Sequence, residues 1–296
     1  MDLLKKLSLA LVLLLSAALV SGPLGCAGQE ETNMPIVLLT DYGSEDYRIC
    51  QLKGIIYSNN PTAILVDASQ GIPAFDIHAG AFILDIAAKE FPENVVFVGV
   101  VAPYDPLGTR YLLLKTSKNQ YFVLPDNGLL TYVIENMGVD IIYQVTNQEL
   151  FSGPIENLSA EEVQGKVGAL VASGYQPDDV GVPLANPKTL DIQEPAIADG
   201  RLLGTVVYVD HYGNCITNIP GGTAEEFGLK LGDTIVVKGA EFEMSAKFGS
   251  IYSDVPQGEE IVFVKSDLGM LQLSVNLGDF AETYGIEAGT KVEIEM

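Results

Sequence analysis

Residues 36–67 read IVLLTDYGSEDYRICQLKGIIYSNNPTAILVD. An apolar run, 36–40, ends in the polar turn Asp41-Tyr42-Gly43; a helix-length amphipathic stretch, 46–58, follows, and a second apolar run, 63–66, completes the unit. Short apolar runs separated by helix-length segments predict βαβ units around a mainly parallel sheet. The same texture continues through 76–90, 95–101, 128–136 and 140–145. Within 76–90, Gly80, Ala81, Leu84 and Ala88 recur at helical spacing, a small-residue face suited to close packing on a sheet. The expectation is a three-layer α/β domain over residues 36–190.

Beyond it, Pro183, Pro187 and Pro195 interrupt residues 182–203, which read as a linker or crossing segment. From Leu202 onward, short β-rich runs at 204–210, 215–219, 234–237, 260–265, 271–275 and 291–294 alternate with Gly-containing turns. That spacing predicts a smaller all-β barrel or sandwich over 191–296. Two unlike domains leave a cleft between them, the usual place for a small-molecule site.

The chain has 296 residues, 16 Lys plus Arg against 39 Asp plus Glu, and a formal charge of −23, which repels phosphate backbones and argues against nucleic acid as a partner. At the N-terminus, Lys5 and Lys6 precede the apolar run 7–20, then Ser21-Gly22-Pro23 and Leu24-Gly25-Cys26. The run is short of the roughly 20 residues that span a bilayer, so residues 1–25 read as an export signal. Leu24-Gly25-Cys26 is similar to a bacterial lipobox, making Cys26 the expected lipidation site and residues 26–35 a lipidated tether in the cell envelope. Pro23 departs from the aliphatic residue usual there. Cys50 and Cys215 remain, and we expect two buried thiols rather than a bridge. With His78 and His211 the only histidines, no transition-metal site is expected.

Four polar clusters follow apolar strands. Asp41-Tyr42-Gly43 sits where ligands bind in open α/β sheets, and a carboxylate there suits a ribose diol, although a capping or turn Asp is the plainer alternative. Asp105-Pro106-Leu107-Gly108-Thr109-Arg110 sets a carboxylate near a guanidinium, for chemistry or as a loop ion pair. Pro125-Asp126-Asn127-Gly128 reads as an anion cradle or a β-turn. Asp210-His211-Tyr212-Gly213-Asn214 could stack and hydrogen-bond a base, or simply turn a hairpin.

Taken in order, LTDYG (39–43), KGIIYSNNPTAILVD (53–67), IPAFDIHAGAF (72–82), PDNGLL (125–130), YGNCITNI (212–219) and SDVP (253–256) resemble the S-adenosylmethionine hydroxide adenosyltransferases, relatives of the fluorinases and chlorinases. The resemblance runs from about residue 36 to the C-terminus. It implies a homotrimer that binds S-adenosylmethionine as substrate, without a further cofactor, between the N-terminal domain of one subunit and the C-terminal domain of the next. It further implies that Asp41 holds the ribose hydroxyls, with Tyr42 beside it among the substrate-binding residues, that Asp210 faces the methionine amino group, that Tyr212 and Asn214 face the adenine, and that Ser266 faces the carboxylate. The implied reaction is displacement at ribose C5′ by water or hydroxide, giving adenosine and methionine.

The family's hydrolases carry an Asp–Arg–His triad. Here Arg110 matches the arginine, and either Asp105 fills the carboxylate role in a shortened loop or Ala102 occupies the strand-end position and the acid is lost; Ser159, followed by Ala160-Glu161-Glu162, stands where FHGRD supplies the histidine. Neither His78, read as a helix-surface or capping residue, nor His211 is an obvious substitute. Export adds a second difficulty, because S-adenosylmethionine is made in the cytosol. Two readings stay open: a hydrolase with Asp105, Arg110 and a rewired third group at Ser159, or an exported lipoprotein that keeps the fold as a nucleoside-binding or scaffold module. Nothing in the sequence specifies the dry halide pocket of a halogenase.

Overall fold

The computed structural model describes residues 33–105 and 108–296; the expected export segment, Cys26 and the start of the tether lie outside the described residues. Seven strands form the first sheet: β1 (Ile36–Thr40), β2 (Leu65–Ser69), β3 (Val95–Val100), β4 (Tyr111–Thr116), β5 (Gln120–Pro125), β6 (Val139–Val145) and β7 (Gly181–Pro183). Their order is β2-β1-β3-β5-β4-β6-β7. β2, β1, β3 and β5 pair in parallel, and β4, β6 and β7 extend the sheet antiparallel. This is the mainly parallel α/β domain expected.

Alternate residues of β1 serve two cores. Ile36 and Leu38 join Leu52 and Ile56 of helix α1 (Tyr47–Asn59) and Val163 and Val167 of α4 (Ala160–Ala172) on one face. Val37 and Leu39 join Ala81 and Leu84 of α2 (Ile77–Glu90) and Val133 of α3 (Thr131–Met137) on the other. A sheet covered on both faces needs strands apolar on both sides, as the unbroken run 36–39 is. Asp46 and Asp76 cap α1 and α2 by accepting from the Arg48 and Ala79 amides. The small-residue face of α2 is real: a Cβ on Gly80 would lie 2.8 Å from Leu129 Cδ1.

The remaining strands are β8 (Ala196–Ala198), β9 (Arg201–Val209), β10 (Cys215–Pro220), β11 (Thr234–Lys238), β12 (Glu243–Phe248), β13 (Glu260–Lys265), β14 (Met270–Val275) and β15 (Lys291–Glu295). They run β10-β14-β13-β12-β11-β15-β9-β8, and β10 also pairs with β9, which closes seven of them into a barrel with β8 attached outside. Two short helices, α5 (Gly221–Phe227) and α6 (Phe280–Tyr284), complete the domain. The barrel interior holds Leu202, Val206, Ile235, Val262, Leu273 and Val292. Between the domains Phe82 of α2 stacks on Tyr208 of β9 with ring centroids 5.1 Å apart, and Val207 and Ile216 pack beside them.

The expected runs are shifted in places. β2 begins two residues later than the 63–66 run, and the hairpin β4–β5 interrupts the α/β rhythm where no strand pair is expected. Residues 184–195 do not dangle as a linker, because Leu184, Lys188 and Leu190 donate backbone hydrogen bonds to the first domain. Cys50 is exposed on α1, against the expectation of two buried thiols, because it falls on the outer face of that helix. Cys215 is buried, and burial pushes its thiol up to about 12.

Candidate active site

β2 and β3 lie on opposite sides of β1, so the carboxyl ends of β1 and β3 flank the point where the sheet's winding reverses. Open α/β sheets bind ligands there. Asp41 occupies that position. Its Oδ2 accepts from the Phe75 and Ala102 amides at 3.0 and 3.1 Å. Both donors belong to non-glycine residues with left-handed backbone, Phe75 at φ 68° and Ala102 at φ 41°. Such strain persists only where the surroundings over-determine it, and it concentrates at functional sites. With both amides on Oδ2, Oδ1 is left to accept from a ligand hydroxyl.

Next to it, Tyr42 donates its hydroxyl to Glu161 Oε1 at 2.6 Å, and the Arg48 guanidinium lies 4.4 Å above the Tyr42 ring. Glu161 is 6% exposed, in the first turn of α4, where the helix dipole favours a carboxylate. Burial first, and the Glu161 carboxylate second, push the Tyr42 phenol well above its ordinary range, so it serves as a neutral donor.

The other catalytic candidates fall around the same end of the sheet. Arg110 pairs with Asp126, whose side chain is fully buried (0% exposed). Asp126 Oδ1 also accepts from the Lys188 amide at 2.7 Å, and Lys188 Nζ reaches Asp105 Oδ2 at 2.6 Å. Asp105 and Arg110 thus each find a charged partner on another segment. Asn127 donates to the Val101 and Ala102 carbonyls and accepts from the Leu129 amide, so the PDNG turn ties down the strand end that grips Asp41. Ser159 is the N-cap of α4, in a capping box with Glu162. A cavity of about 550 Å³ is lined by Tyr104, Asp105, Thr109, Tyr111, Glu156 and Ser159, among others.

In the barrel, Asp210 Oδ1 accepts from the Tyr212 and Asn214 amides, and Oδ2 from Asn214 Nδ2 at 2.8 Å. That is the economical hairpin turn, held further by Ala281 donating to the Gly213 carbonyl. Gly213 has φ 77°, and the side chain of Asp279 fills the space a Cβ would take, so any other residue would strain the backbone and displace Asp279. Tyr212 and Asn214 line a second cavity, of about 560 Å³, with Tyr252, Val275, Leu277 and Gly278. Ser266 is exposed in the turn between β13 and β14. The two cavities share no lining residue and Asp41 lines neither, so within one chain the two groups of candidates stay apart. His78 sits in the first turn of α2 with a buried, unpartnered Nδ1, its ring near Gly289. Sequence reasoning did not single out Glu161 or Lys188, and read Asp126 as part of an anion cradle or a β-turn, not as the buried partner of Arg110.

Residues 36–181 match the model of the SAM hydroxide adenosyltransferase N-terminal domain, and 204–293 that of its C-terminal domain. The chain belongs to the SAM hydroxide adenosyltransferase family. Among relatives, it is 28% identical over 270 residues to (R)-S-adenosyl-L-methionine hydrolase of Methanocaldococcus jannaschii, covering 88% of this chain and 95% of that one. It is 25% identical over 292 residues to the fluorinase of Actinoplanes sp., covering 88% and 97%. A crystal structure of a conserved protein from Thermotoga maritima superposes with a TM-score of 0.78 at 30% identity, over 88% of this chain and all of that one. The family thus includes both hydrolases and halide-using enzymes, and membership supports enzymatic chemistry on S-adenosylmethionine as a class.

Proposed function

We propose that the protein hydrolyses S-adenosylmethionine to adenosine and methionine. The observation that carries this reading is Asp41: a carboxylate at the sheet's switch point, fixed on one oxygen by two strained backbone donors and open on the other, as a ribose diol requires. In the reaction the C5′–S bond breaks with its electron pair going to sulfur, a water oxygen bonds to C5′, and the water loses a proton. The departing thioether is neutral and needs no acid. The protein's task is to align water behind the C–S bond and exclude competitors; positioning of this kind is worth roughly 7–11 kcal/mol in favourable cases. Asp105 in the 550 Å³ cavity is the acceptor for the water proton, a role worth roughly 10²–10⁴-fold.

The nucleophile in this reading is water rather than halide. The cavity carries Glu156 on its wall beside the Lys188-paired Asp105, and a carboxylate repels an anionic nucleophile. The adenine-side residues Tyr212 and Asn214 would complete the site from a neighbouring subunit of a trimer, which light scattering of the purified protein tests. Anchoring in the cell envelope through Cys26 belongs to the same proposal: Cys26→Ser should abolish incorporation of labelled palmitate and release the protein from the membrane fraction.

The deciding experiment incubates the protein with S-adenosylmethionine, with and without chloride or fluoride, and chromatographs the products. Adenosine and methionine in equal amounts support the hydrolase. A 5′-halogenated nucleoside would make it a halogenase, and saturable binding without product would leave a nucleoside-binding module. Asp105→Asn should remove most turnover while leaving binding intact.

A further inference from the structure

Residues 184–195 join the two domains, yet they are fastened to the first domain along β6 and past the carboxyl end of β5. The Leu184 amide donates to the Ile142 carbonyl, the Lys188 amide to Asp126 Oδ1, and the Leu190 amide to Thr131 Oγ1. The Lys188 backbone is therefore held on both sides, and its side chain ends on Asp105 at 2.6 Å. One residue thus touches Asp105 directly and Arg110 through their common partner Asp126.

The geometry points to Lys188 as a positioning residue for the hydrolysis proposed above, the charged group that joins Asp105 to the Arg110–Asp126 pair. The inference rests on that hydrolase reading. An isolated exposed lysine constrains little, because holding its long stem costs entropy. Here the backbone is already fixed, so the stem alone must be ordered. The ammonium then orients the Asp105 carboxylate and favours its charged form against the acidic surroundings: Glu156, which lines the same cavity, and Asp126, itself neutralised by Arg110. Without Lys188 the carboxylate loses this ammonium and binds a proton more readily.

Lys188→Met tests this in the full-length protein, with Lys188→Ala as a second variant. Both keep the backbone amide, so the Asp126–Arg110 pair is undisturbed. We expect kcat for adenosine release to fall about tenfold with KM changed less than about twofold, and Lys188→Arg to recover most of the loss. A second readout does not depend on turnover. In protein labelled with ¹³C at aspartate carboxyls, the Asp105 resonance, assigned by its disappearance in Asp105→Asn, should titrate about one pH unit higher in Lys188→Met than in wild type. Equal titration midpoints would overturn the inference, as would unchanged kcat in an active enzyme. A shifted midpoint in a protein that releases no adenosine would count against the hydrolase reading while upholding Lys188 as the group that holds Asp105.

Discussion

Arg110→Ala is the obvious substitution for a catalytic arginine, and the structure says that its first effect will be on stability. Its partner Asp126 has no exposed side-chain surface, whereas Arg110 is 38% exposed. Removing the guanidinium strands a buried carboxylate without its counter-charge. Breaking a buried pair in this way typically costs about 3–5 kcal/mol, which for a domain of this size corresponds to a fall in Tm of roughly 6–20 °C. Urea denaturation followed by far-ultraviolet circular dichroism measures the loss directly. The companion variant Arg110→Ala/Asp126→Asn removes the stranded charge while leaving an amide oxygen to accept from Lys188, which donates at 2.7 Å in the native protein. It should recover about half of the deficit. A single variant within about 1 kcal/mol of wild type, or a double variant less stable than the single, would refute the reasoning. Loss of activity in Arg110→Ala carries mechanistic weight only after this comparison is made.

Tyr42→Phe leaves Glu161 buried without its hydroxyl donor and should cost about 1–3 kcal/mol in the same urea assay; an unchanged midpoint would mean that water replaces the donor at no cost. Ser159→Ala removes a helix cap and should lower stability by about 1 kcal/mol while S-adenosylmethionine turnover persists, since Ser159 Oγ is engaged with the Glu162 amide; abolished turnover in a folded variant would restore Ser159 as a chemical group. At pH 8, Cys50 should react with a thiol reagent and Cys215 should not. Burial raises the Cys215 thiol to about 12, so its reactive thiolate is scarce until the pH climbs far above 8; prompt labelling of Cys215 in the native protein would contradict its burial.

The fold was legible where apolar runs meet turns. Residues 36–40 form a strand over the span read from the sequence, because a strand covered on both faces needs apolar residues on both. β2 is harder to bound, since its end, Asp67-Ala68-Ser69, lies at a sheet edge and is partly exposed. β12 carries Glu243, Ser245 and Lys247 on its outer face and shows only the inward alternation of Met244, Ala246 and Phe248. In the candidate site, Asp41 could be singled out because its place depends on one local feature, a strand end. Arg110 and Asp105 could be named but not paired. Their partners depend on how β5 and the crossing segment pack, and Lys188 lies 83 residues from Asp105 in sequence. Glu161 was visible as an oddity, a carboxylate where the family has a guanidinium, but its partner Tyr42 is 119 residues away.

The stacked pair Phe82–Tyr208, with Val207 and Ile216 beside it, has a consequence for how the chain gains and loses its structure. Cutting the polypeptide anywhere in 184–195 would strip an aromatic face from α2 and its counterpart from the barrel wall, and would cost each piece the other's cover. Each piece keeps its own core, so either expressed alone should fold with a lower melting temperature than the whole chain and expose this aromatic face.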